Sequence, residues 1–170
     1  MRVSILSALL IAIIAEAHEG HHHDKSGNSQ ENKLSASRPE ITQVYKQINI
    51  QYKENVTLIF ESKCAACHSA EAPLPWYSDI PVIHQLIERD RKEAQEHLEI
   101  SKGFPFAGHG TPEEDLDAII KTTESGSMPT LFFRLMHPSS ALNEREKEII
   151  LNWASASKQE ISKANPEEKK

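Results

Sequence analysis

The sequence predicts an all-α domain. Three observations carry that reading: apolar residues recur at intervals of three and four along several stretches, two segments open with the capping pattern of a helix start, and strand-like alternation is absent throughout. In chain order, Ile41, Val44, Tyr45, Ile48, Tyr52, Val56, Ile59 and Phe60 trace one amphipathic helix over Ile41 to Lys63 that runs directly into Cys64. A proline-marked loop, Glu71 to Pro81, follows. Val82, Ile83, Leu86, Ile87, Ala94 and Leu98 then mark the apolar side of a second helix whose outer face is strongly charged and whose exit is Gly103.

The stretch Gly103 to Gly110 holds too much glycine and proline for a helix and reads as a loop. Thr111-Pro112-Glu113-Glu114 starts the next helix, with Thr111 as cap, proline at the first helical position and Glu114 completing a capping box. Leu116, Ile119 and Ile120 form its apolar side, and Gly126 is placed to end it in the left-handed conformation. A short helical turn is expected over Leu131 to Met136, stopped by His137-Pro138. Asn143 and Glu146 repeat the capping box before a last helix whose inner face is Leu142, Ile149, Ile150 and Trp153.

The ends of the chain divide off from this domain. Arg2, the apolar run Val3 to Ala15 and the triplet Ala15-Glu16-Ala17 form a secretory signal peptide, 1–17, with cleavage expected after Ala17. The run is about 13 residues, short of the roughly 18 to 20 that span a bilayer, so no membrane anchor is expected to remain after cleavage. Residues 18–40, beginning His18-Glu-Gly-His21-His22-His23, offer little to bury and read as a flexible His-rich leader. The domain proper is expected over 41–157, with a charged tail over 158–170. Removing Arg2 and Glu16 together leaves the net charge at −6, which gives no support to nucleic-acid binding.

The chemistry concentrates in Cys64-Ala-Ala-Cys67-His68, which holds both cysteines of the chain and has the attachment pattern of a c-type haem. On a helical turn, positions i, i+3 and i+4 share a face. Two thiols can therefore form thioether links at one porphyrin edge while His68 reaches the iron, and Ala65 and Ala66 allow close approach. The competing readings are a disulfide, a thioredoxin-like dithiol and a zinc site. A dithiol of that kind would follow a strand, and zinc would need two further compact ligands.

An iron held by one histidine has a sixth position, and what fills it sets the function. Met128 is the first candidate, because Ser127-Met128-Pro129 lies in a loop after a glycine-ended helix, where a thioether can swing onto the face opposite His68. Met136 and His137 are the alternatives, with His109 behind them; His84 and His97 read as surface residues of the charged helix.

Cys64 to His68, Pro73-Leu-Pro75-Trp76-Tyr77, Ile80-Pro81, Ser127 to Pro129, Met136-His137-Pro138 and the helix from Leu142 to Trp153 resemble, in that order, the haem-binding-domain family of bacterial cytochrome c-like proteins. The resemblance covers about residues 50–155. It implies a class I cytochrome c-like fold around a single haem c, with the first and last helices crossing beside it and Met128 as distal ligand. It also implies that Pro73 or Pro75 lines the His68 side and accepts the second ring proton through a backbone carbonyl. Trp76 and Tyr77 are implied to pack on the haem or bond a propionate. The glycine-rich loop 103–110 departs from a minimal domain of that kind.

The expected function is electron transfer in the periplasm by a mono-haem cytochrome, without enzymatic activity, with basic redox proteins as partners for an acidic chain. The alternative is a haem enzyme or a gas or redox sensor with a labile or open sixth position. A third reading gives the leader a role: with His18 as amino terminus, its amine and imidazole, together with His21, His22 or His23, could chelate copper, zinc or nickel weakly.

Overall fold

The computed structural model describes residues 39–165, and the fold there is all-α. The expected signal peptide, residues 18–38 of the expected leader with His18, His21, His22 and His23, and the last five residues lie outside the described residues, whereas Pro39 and Glu40, read as leader, open the first helix. Its helices are α1 (Pro39–Asn55), α2 (Thr57–Lys63), α3 (Ala65–His68), α4 (Pro81–His97), α5 (Pro112–Ser125), α6 (Leu131–Met136) and α7 (Glu144–Ala164), with 3₁₀ turns at Trp76–Asp79 and Pro138–Ser140. None of the described helices is long and apolar enough to cross a membrane.

The first predicted helix is divided at Val56. The Thr57 hydroxyl donates to the Tyr52 carbonyl at 3.3 Å and the Ile59 amide to the Val56 carbonyl at 2.9 Å, so a side chain and a tighter turn compete with the regular ladder. Burial nonetheless follows the expected stripe: Ile41, Tyr45, Ile48, Tyr52, Val56 and Phe60 are all buried.

The last helix runs further than the charge pattern indicates. Residues assigned to a charged tail from 158 are helical to Ala164, and Ile161 is 1% exposed. Ile150, Ala154, Ser157 and Ile161 continue a single buried stripe at helical spacing. Along this face α7 packs against α5 and α1, and the Trp153 indole N–H donates to the Ile48 carbonyl at 3.5 Å.

Both capping boxes form: Thr111 accepts from the Glu114 amide at 3.3 Å and Asn143 from the Glu146 amide at 2.9 Å, with each glutamate returning to the cap amide at 2.8 Å. Gly126 ends α5 at φ +64°, where a side chain would be strained.

Loop 103–110 belongs to the core. Phe104 and Phe106 are buried, and their rings meet Tyr45, Tyr52, Phe60 and Trp153 at centroid distances between 5.2 and 6.2 Å. The loop therefore adds two rings to an aromatic cluster in which Tyr52, Phe60 and Trp153 of the helices already meet one another.

Within the first turn of α5, Asp115 is 4% exposed. Burial, with Glu114 and Glu113 adding to it, pushes its carboxyl from 3.8 up to about 7. The folded chain thus holds a proton that the unfolded chain releases near 4, so this residue makes stability fall as pH rises from about 4 to 7 and level off above. Asp115→Asn is expected to flatten that slope in urea titrations at pH 5 and pH 8; an unchanged slope would count against the assignment.

Candidate functional site

Cys64 closes α2 and opens α3, and the chain leaves it in one helical turn. The amides of Cys67 and His68 donate to the Cys64 carbonyl at 3.1 and 3.0 Å, and that of Ser69 to Ala65 at 3.0 Å. Cys64, Cys67 and His68 accordingly share one face. Beside them, Lys63 donates to the Ser139 carbonyl and lies 3.7 Å from the Glu146 carboxylate, which joins the carboxy-terminal half to the motif.

The opposite side of the turn is held by α4 and the extended segment after it. Predicted to exit at Gly103, this helix stops at His97, because Leu98 turns extended and residues 98–100 bond to other parts of the chain. The Ile100 amide donates to the His68 carbonyl at 2.9 Å, and Glu99 exchanges backbone bonds with Ala107. From within α4, Gln95 donates to the Cys67 carbonyl at 3.4 Å. The buried Arg91 donates through Nη2 to the Ser69 and Ala72 carbonyls at 3.0 and 2.9 Å.

This brace fixes the chemistry of His68. Its Nδ1 lies 2.8 Å from the Leu98 carbonyl. A carbonyl only accepts, so Nδ1 carries the proton and Nε2 keeps its lone pair. Burial pushes the imidazole pKa down, against the backbone bonds to Leu98 and Ala94, and the ring stays in the neutral form that binds metal. The acceptor thus differs from the proline carbonyl implied by family resemblance: the Pro75 carbonyl instead receives the Ser78 amide at 2.9 Å.

Both cysteines are free thiols. Burial, reinforced by the neighbouring Cys67, pushes Cys64 up to about 12. Burial also raises Cys67, against the attraction of Arg91. A thioredoxin-like dithiol works through a lowered thiol pKa, and both shifts here have the opposite sign. Among the described residues no group of three or more His, Cys, Asp or Glu is placed to hold a metal ion, so the zinc reading finds no partners there.

The other candidates lie on two segments that meet at a hydrogen bond of 2.6 Å between Tyr77 Oη and His137 Nε2. His137 also stacks on Phe133 at 4.5 Å. Trp76 is 87% exposed, touching Tyr77 edge-on at 5.7 Å, and is not packed into its loop. Met128 is exposed in the loop between α5 and α6, with Pro129 buried behind it, and Met136 is exposed at the end of α6. His84 lies exposed on α4, while the ring of His109 stands against that of His97.

Several features suit a flat, largely apolar, carboxylate-bearing macrocycle. Of the twelve large apolar residues exposed among the described residues, ten fall within the two segments 74–86 and 128–136, and a porphyrin covering them would remove an apolar surface from water. A neutral imidazole with a free Nε2 and two protonated thiols occupy one helical face. The Arg91 Nη1, buried without a protein partner near Cys67, leaves a cationic donor that suits an anionic ligand.

Sequence reasoning identified the motif and missed its brace. Leu98 acts through a backbone carbonyl, which leaves no mark in the sequence, and Arg91 is one charge among many on α4. The model of a family described as a haem-binding domain matches residues 25–156. No curated protein and no solved structure matches the chain.

Proposed function

The chain belongs to the haem-binding domain family, and on that premise we propose that it is an exported mono-haem c-type cytochrome that passes single electrons between periplasmic proteins and performs no bond chemistry of its own. The observation that carries the proposal is the His68 ring, held neutral and oriented by the Leu98 carbonyl on the same helical turn as two thiols. A redox dithiol would have no use for an oriented, lone-pair-bearing imidazole beside raised thiols.

Cys64 and Cys67 would hold the haem by adding their S–H bonds across its two vinyl groups. Each sulfur would gain one bond to carbon and each thiol proton would go to the neighbouring vinyl carbon, an addition that needs no oxidant. His68 would bind through Nε2 and Met128 through its thioether, with Met136 and His137 as the alternatives. Bound haem supplies an iron centre that changes charge by one electron, and a filled sixth position excludes substrate. Pro75, Trp76 and Tyr77 would border the ring, and the acidic surface favours basic redox partners. The signal peptide and the c-type motif support export together, since attachment of this kind is completed outside the bacterial cytoplasm.

The ferric protein is expected to be low-spin with a far-red sulfur-to-iron band, and the ferrous protein to refuse carbon monoxide. Met128→Ala should lose the band and gain carbon monoxide binding. A high-spin parent that takes up carbon monoxide would replace the carrier reading with that of a haem enzyme or sensor with an accessible iron.

A further inference from the structure

A second site stands apart from the thiols, where the end of α4 meets loop 103–110. His97 is the last residue of α4, and its ring lies 5.9 Å from that of His109, edge to face. Both side chains are exposed. Their proximity is built by the backbone: the His109 amide donates to the Glu96 carbonyl at 2.9 Å, and Glu99 and Ala107 exchange bonds at 2.6 and 3.1 Å. Gly108, at φ +140°, passes so close to α4 that a Cβ there would sit 2.6 Å from the His97 carbonyl oxygen. A residue with a side chain would push His109 away, so the pair depends on glycine at this position.

We propose that His97 and His109 form a binding site for a divalent transition-metal ion of the copper, nickel or zinc type. Two imidazoles on one tetrahedral ion, each with a metal–nitrogen bond of about 2.1 Å, have ring centroids roughly 5 Å apart, close to the spacing present. Imidazole suits these ions. The location favours positive charge: the carboxy-terminal end of a helix carries partial negative charge, and Glu93 lies one turn before His97 on the same face. With no third protein donor in place among the described residues, water completes the shell. The ion would sit next to Leu98, the residue that orients His68.

The test is a Cu²⁺ titration of the haem-loaded chain in which His18, His21, His22 and His23 are replaced by alanine, followed by electron paramagnetic resonance. One tightly bound equivalent with hyperfine lines from two nitrogens is expected, weakened at least tenfold by either His97→Ala or His109→Ala. Gly108→Val, which leaves both imidazoles present but displaces one, should weaken binding by a similar factor. Absence of binding, or an affinity unchanged in both histidine variants, would overturn the proposal. Exposed side chains make the histidine variants safe for folding, and helicity by circular dichroism checks that they are folded.

Discussion

Replacing Cys64 and Cys67 together by alanine is expected to abolish covalent attachment of haem completely. In acidified acetone the haem of the parent stays with the polypeptide, and that of the double variant passes into solution. The pyridine adduct should shift in parallel from the spectrum of a ring with saturated side chains to that of a ring with two free vinyls. Single variants should retain one link and give an intermediate spectrum. Non-covalent haem is expected to persist in the double variant, because His68 is oriented by Leu98 and Ile100 and owes nothing to the thiols. A parent that releases its haem to acidified acetone would show a member of this family that binds haem without thioether bonds, and the c-type assignment would be withdrawn.

The largest loss of stability outside the aromatic core is expected at Arg91. Its Nη2 satisfies two backbone carbonyls of the segment that leaves the motif, and hydrogen bonds to a charged donor contribute about 1.5 to 3 kcal/mol each. Arg91→Met keeps much of the apolar stem and removes both bonds, at an expected cost of about 3 kcal/mol in urea denaturation. Arg91→Lys, with a point charge on a longer stem and no planar fork, should recover only part of it. A change below about 0.5 kcal/mol in the methionine variant, the range of an ordinary surface substitution, would mean that the segment 69–72 holds its shape without the guanidinium.

The elements read correctly from sequence are those whose signals are local. Thr111 with Glu114, Asn143 with Glu146, and Gly126 each act within a few residues, so their pattern is complete in the sequence. The bounds of α6, Leu131 to Met136, also follow from the residues on either side. Signals were lost where a residue's partner lies far along the chain. Phe104 and Phe106 are embedded among glycines and prolines that mark a loop, and nothing nearby indicates that Trp153 and Tyr52 are waiting for them. Ile161 is a single apolar residue among charges, readable only once Ile150, Ala154 and Ser157 are known to face inward. On α4 the error has the opposite sense: Val82 and Leu86 have the spacing of a core stripe and are exposed. Periodicity marks an apolar face and does not say what covers it.

The brace on His68 also bears on the order of events during the proposed export. Leu98 lies thirty residues after the histidine it orients. In a chain delivered across the membrane amino terminus first, Cys64, Cys67 and His68 would reach the far side before the segment that half-buries them. The motif would then be open to modification first and locked afterwards, an order in which attachment precedes folding without any part of the finished structure having to reopen.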